Sequence, residues 1–149
     1  MFYLGLDLGQ KRDHSAICVV ERDGQSPKYL VRHLERVPLG TPYPAVVRRV
    51  RTIINGEPRG QCAVAVDGTG VGAPIVDQLR DALFSLAGPA CDISAVTITG
   101  GERETQSGQS WSVPKRDLLA GLQVLLDRWT TTICGLQRIC GTRARWCGN

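Results

Sequence analysis

Two aspartates stand where a short apolar run meets glycine. Asp7 closes the run Phe2-Tyr-Leu-Gly-Leu-Asp and is followed by Leu8-Gly9, while Asp67 closes Cys62-Ala-Val-Ala-Val-Asp and is followed by Gly68-Thr69-Gly70-Val71-Gly72. Taken singly, an aspartate before glycine is a turn residue, because its side chain bonds the backbone two residues on. Taken as a pair at matching strand ends, the two carboxylates are hard oxygen ligands suited to Mg²⁺ or Mn²⁺. Two such ions ~4 Å apart activate water and stabilise the leaving oxygen in phosphodiester cleavage. That chemistry requires the two ends to be neighbours, so the elements that carry them decide whether it is available.

Periodicity supplies those elements. Residues 2–9 alternate in places and lead through the polar stretch Gln10–His14 into a second strand over Ser15–Glu21. Asp23-Gly24 is a tight-turn signal, and Tyr29–Val37 is a third strand, so the first forty residues read as an antiparallel meander. Tyr43–Asn55 sets Val46, Val47, Val50, Ile53 and Ile54 at helical spacing, with Arg48, Arg49 and Arg51 on a solvated face. Cys62–Val66 is the wholly apolar kind of strand that parallel sheets bury. Pro74 opens a second helix with Ile75, Val76, Leu79, Leu83 and Leu86 on its inner stripe, and Ile93–Thr99 is a further strand. Gly100–Ser112 is polar and aperiodic and reads as a mobile loop. Pro114 then opens a last helix, with Leu118, Leu119, Leu122, Leu125 and Leu126 expected on its core face. The expected fold class is therefore α/β, a five-stranded mixed sheet of three antiparallel and further parallel strands flanked by helices. In such a sheet the first and fourth strands lie side by side, and Asp7 and Asp67 converge.

Composition narrows the function classes. The chain of 149 residues has room for about one domain, here residues 1–128, with 129–149 read as an irregular, weakly ordered tail. Residues 1–127 hold 14 Lys and Arg against 14 Asp and Glu, so the net charge of +4 comes from Arg128, Arg138, Arg143 and Arg145. A neutral body gives no electrostatic argument for tight DNA binding. No apolar run reaches the ~20 residues of a membrane span and no secretory leader is evident, so no membrane partner and a cytoplasmic location are expected. The cysteines read as reduced thiols: Cys18, Cys62 and Cys91 sit in apolar stretches, Cys134, Cys140 and Cys147 in the tail, and no Cys-x-x-Cys pair suggests zinc. His14 and Cys18 have ligand-like spacing but fall on a strand.

Three stretches carry a family resemblance: Leu4-Gly-Leu-Asp-Leu-Gly with Asp13 following, Ala65-Val-Asp-Gly-Thr-Gly-Val-Gly leading into Pro74-Ile-Val-Asp-Gln-Leu, and Val113-Pro-Lys-Arg-Asp-Leu-Leu. In this order and spacing, over about residues 3–128, they resemble the nuclease domain of phage large terminase subunits, whose fold is ribonuclease H-like. The resemblance implies a metal-dependent endonuclease that cuts double-stranded viral DNA during packaging. Asp7 and Asp67 would then be the catalytic, metal-binding carboxylates, with Asp13 and Lys115 near substrate. It also implies an ATPase motor or portal subunit as a separate partner, since no Walker-type phosphate loop is present. The family's third acid comes late in the domain, whereas no Asp or Glu follows Asp127. Asp117 and Asp127 are the substitutes at hand. The tail's composition suggests a reading frame lost near Arg128 in a prophage-derived remnant, with activity weak or absent.

Other readings compete. Asp7-Leu8-Gly9 and Asp67-Gly68-Thr69-Gly70 also suit an actin-like or sugar kinase-type domain whose turns cradle ATP phosphates, although such enzymes close two domains over the nucleotide. A dinucleotide fingerprint fits poorly, because the glycine-rich turn follows the fourth strand and lacks Gly-x-Gly-x-x-Gly spacing. A non-catalytic DNA- or partner-binding module, with Trp111 as an anchor, completes the set.

Overall fold

The computed structural model describes residues 1–9, 13–22, 24–25, 29–56, 62–70, 73–84, 91–128 and 132–133. Among the described residues eight strands and three helices follow one another as β1 (Phe2–Asp7), β2 (Ala16–Arg22), β3 (Tyr29–Arg36), α1 (Tyr43–Gly56), β4 (Cys62–Asp67), α2 (Ala73–Phe84), β5 (Cys91–Thr99), β6 (Thr105–Ser107), β7 (Ser110–Pro114), α3 (Lys115–Arg128) and the two-residue β8 (Thr132–Ile133). They form a single sheet in the order β6-β7-β5-β4-β1-β2-β3-β8. β1, β2 and β3 are the antiparallel meander; β1–β4, β4–β5 and β5–β7 are parallel pairs.

One face of this sheet is packed, and among the described residues the centre of the other is exposed. Leu4, Leu6, Ile17, Val19, Val64, Val66 and Ile93 turn to the same side. There they meet Val46, Val47, Val50, Ile53 and Ile54 of α1 and Ile75, Val76, Leu79 and Leu83 of α2 in one core. Alternation sends Gly5 and Ala65 to the opposite side, where both are exposed. The apolar stripes of α1 and α2 thus do what their spacing predicts. Leu86, the turn residue Asp23 and the tail beyond Ile133 lie outside the described residues.

Three expectations need correction. The sheet has eight strands, not five. Part of the difference is the segment expected to be a loop: Thr105–Ser107 and Ser110–Pro114 pair as an antiparallel hairpin, turned at Gly108 with φ +58. β6 is wholly polar and β7 alternates only Trp111 and Val113 with serines, a run too short to have announced a strand at the sheet's rim. The third correction concerns α3. Its leucines have core spacing, yet every residue from Lys115 to Asp127 is exposed, Leu119 at 56% and Leu126 at 58%. α1 and α2 already occupy the packed face. α3 leaves β7 near one edge of the sheet and the chain reaches β8 at the other, six strand positions away. At ~4.8 Å per strand that is ~29 Å. A 14-residue helix covers ~21 Å of it. The helix is thus long enough to span most of that distance, and its leucines meet no cover among the described residues. No helix among those residues is long and apolar enough to cross a membrane.

Candidate metal-binding site

Register brings the two aspartates together. Leu6 pairs with Val66 on the parallel strands β1 and β4, so Asp7 and Asp67 occupy the next matched position, each at the carboxyl end of its strand. Both point away from the core side held by Leu6 and Val66. Asp7 is exposed and Asp67 half-buried. The carboxyl of Asp7 is held above its ordinary range, first by partial burial and then by the negative charges of Asp67 and Asp13. Asp13, expected near substrate, is thus near enough for its charge to be felt at Asp7.

The turn after β1 places Asp13 through close packing. A Cβ at Gly9 would stand 2.3 Å from the Asp13 carbonyl oxygen and 2.5 Å from the His14 carbonyl carbon, so only glycine lets the returning backbone pass. The Gly9 amide donates to Ser15 Oγ at 3.2 Å, and Ser15 is the buried polar side chain of the described chain. Val37 N–H donates to Ser15 O at 2.8 Å, and the His14 ring bonds Val37 O through Nδ1 at 2.9 Å, which ties this turn to the end of β3. The polar composition of residues 10–15 signalled a turn, but nothing in it signalled these partners.

The turn after β4 is fixed as tightly. The Thr69 amide donates to Asp67 Oδ1 at 2.8 Å, the Gly68 amide donates to Val96 O at 2.8 Å, and Thr69 Oγ1 accepts from Ile98 N–H at 3.0 Å. Asp67 is held in one orientation with Oδ2 outside that bond. The amides of Gly9, Gly68 and Thr69 are thus engaged within the protein, so none of these three is offered to a phosphate as the turns of an actin-like or sugar kinase-type domain would offer theirs.

The remaining candidates sit apart. Asp67 is level with Val96, and Val96 with Trp111, so Lys115 begins α3 two strands away and four residues farther along. That is ~16 Å from Asp67 by strand geometry, at the same sheet end but beyond contact. Asp117 is exposed in the first turn of α3, 3.5 Å from the Arg116 guanidinium, and Asp127 is exposed near the far end. The charges felt by Asp7 come from Asp67 and Asp13, so neither substitute joins the pair.

Acceptor-only groups of this kind fit a hard divalent cation. Among the described residues no three His, Cys, Asp or Glu side chains gather closely enough to enclose one. Mg²⁺ is commonly bound by only one or two carboxylates, with water and substrate phosphate completing its shell.

No known sequence-family profile matches the chain, and no curated protein is similar to it in sequence. Its fold is similar to solved structures. The human cytomegalovirus terminase nuclease domain aligns at TM-score 0.57 and 15% identity, over 93% of this chain and 63% of that one. The same domain soaked with Mn, with an inhibitor bound, aligns at TM-score 0.57 and 14% identity, over 91% of this chain and 63% of that one. The chain thus spans less than two thirds of that domain's length. The architecture is ribonuclease H-like, as the sheet order and the meander-first topology already indicated.

Proposed function

We propose that this chain is a metal-dependent endonuclease domain acting on phosphodiester bonds of double-stranded DNA, with Asp7 and Asp67 as the carboxylates that hold Mg²⁺ or Mn²⁺. The observation that carries the reading is the matched register of two aspartates at the carboxyl ends of adjacent parallel strands, each fixed by a turn whose amides face inward. A divalent cation at this place would supply Lewis-acid stabilisation of the phosphoryl oxygens and a water of lowered pKa. Asp67, oriented by the bond from Thr69 to its Oδ1, would be one residue holding the cation. Asp7 supplies the second ligand, and Asp13 adds negative charge that favours occupancy. Lys115 and Arg116, at the start of α3, would meet phosphates flanking the scissile one. The Mn-soaked terminase nuclease domain of similar fold supports the choice of metal and of viral packaging as the setting.

The test is conversion of supercoiled plasmid to nicked circles. The protein is expected to nick in Mn²⁺ or Mg²⁺, to stop in excess chelator, and to lose activity as Asp7→Asn and as Asp67→Asn. No conversion with either ion, or conversion that survives both substitutions, refutes the assignment.

A further inference from the structure

Away from the carboxylates, two thiols share a register position. Cys62 opens β4 and Cys91 opens β5, and the two are direct partners on these parallel strands. Their side chains turn to the core side of the sheet, Cys62 buried and Cys91 half-buried at the core's margin. The thiols are in hydrogen-bond contact. Partnered residues on adjacent strands have Cα atoms ~4.8 Å apart, inside the ~4.4–6.8 Å window that a disulfide spans. Both residues lie at the first position of their strands, where backbone adjustment disturbs the least ladder.

We propose that Cys62 and Cys91 are a covalent modification site, a dithiol that a small-molecule disulfide oxidant closes into a bond clamping β4 to β5. The Cys91 thiolate, the more accessible of the two, attacks one sulfur of the oxidant and breaks its S–S bond. The departing half takes up a proton as a thiol. Cys62, losing its own proton, then attacks the Cys91 sulfur and expels the second half, also as a thiol. Two protein thiols are oxidised and one oxidant disulfide is reduced, so atoms and electrons balance. Burial holds the Cys91 thiol above its ordinary range, with the hydrogen bond from Cys62 acting the other way. The first step should therefore be slow at neutral pH and speed up about tenfold per pH unit while the thiolate remains the minor form.

The bond would close a loop of about 30 residues, which predicts a Tm rise of roughly 5–15 °C. The full chain is treated with glutathione disulfide, quenched with an alkylating agent, digested without reductant and mapped by mass spectrometry. A linked Cys62–Cys91 peptide is expected, together with the Tm rise. The rise should persist in Cys18→Ser and vanish in Cys62→Ser and in Cys91→Ser. The proposal is overturned if Cys91 stops at the mixed disulfide, if Cys62 or Cys91 pairs only with other cysteines, or if the linked peptide appears only in urea.

Discussion

Replacing Asp7 by asparagine should stabilise the cation-free protein at neutral pH while abolishing its response to divalent ions. Adjacent strands lie ~4.8 Å apart, which sets the carboxylates of Asp7 and Asp67 at ~5–6 Å. Two unit charges at that distance repel by ~0.7–3 kcal/mol as the effective dielectric runs from ~80 to ~20. Asp7 is exposed, so the repulsion belongs near the lower end, ~1 kcal/mol. In a chain of 149 residues this corresponds to a Tm rise of ~2–4 °C on removing the charge. The pH dependence has a definite sign. Folding raises the Asp7 pKa, so the stability it contributes is fully present below the unfolded value of ~3.9 and is lost as pH rises through the folded value. Wild type and Asp7→Asn should therefore melt together near pH 3.5 and separate above it, with the variant higher, and 1 M salt should narrow the gap.

Cations should invert that order. At an ion concentration about ten times Kd, the wild type gains ~1.4 kcal/mol, or ~3–6 °C, and the variant gains almost nothing. Thermal melts at pH 3.5 and 7.5, with and without Mn²⁺, supply all four comparisons. If the variant melts below wild type in chelator at pH 7.5, the two carboxylates do not repel across the strand ends. If Mn²⁺ raises both melts equally, the ion binds elsewhere.

Two further substitutions probe the packing that positions the cluster. Gly9→Ala drives a methyl to within 2.3 Å of the Asp13 carbonyl oxygen and should destabilise by ~2–4 kcal/mol, lowering Tm by ~5–15 °C; a melt within 2 °C of wild type would show that the 13–15 backbone yields freely. Leu79→Ala, at a site with 0% exposure, should cost ~2–5 kcal/mol by urea unfolding, whereas Leu119→Ala on α3, 56% exposed, should change stability by less than ~0.5 kcal/mol; equal losses would mean that the α3 stripe is buried in solution.

The packed half of the molecule was legible in the sequence because its residues obey a period. Val46, Val47, Val50, Ile53 and Ile54 repeat at helical spacing and all five are buried, and the apolar run Cys62–Val66 is a central parallel strand. Asp7 and Asp67 could be paired because two such strands, each ending in aspartate and glycine, have to lie side by side in a β-β-β-α-β chain. What periodicity could not carry was contact between segments of no periodicity. The Asp13 backbone passes close to Gly9, which brings its charge within reach of Asp7, and Ser15 Oγ takes the Gly9 amide; both are facts of one turn's shape. The α3 leucines show the opposite failure. Their spacing states what the helix could bury, whereas exposure depends on whether a second surface reaches it, and on the sheet's other face Gly5 and Ala65 are exposed, with no cover among the described residues.

The two turns also decide which ligand charge the strand ends favour. Carboxyl ends of parallel strands commonly bind phosphate, because the amides that follow them point outward. Here Gly9 donates to Ser15, Gly68 to Val96 and Thr69 to Asp67 itself, so these three described amides are bonded within the protein, while Asp67 keeps Oδ2 outside its bond from Thr69. On the proposed metal-binding reading, such an arrangement would favour a cation over a bare phosphate, and nucleic acid would approach with the cation between them. Asp67 shows the coupling within one residue. The bond from Thr69 that fixes its orientation occupies Oδ1 and withdraws an amide from the surface, so one contact both aims a ligand and removes a competing donor. Thr69→Pro deletes that amide while leaving the aspartate in place. A fall in cation affinity without gain of phosphate binding, both read by titration calorimetry, would show that orientation is the larger of the two effects; unchanged cation affinity would show that the Asp67 carboxylate needs no aiming.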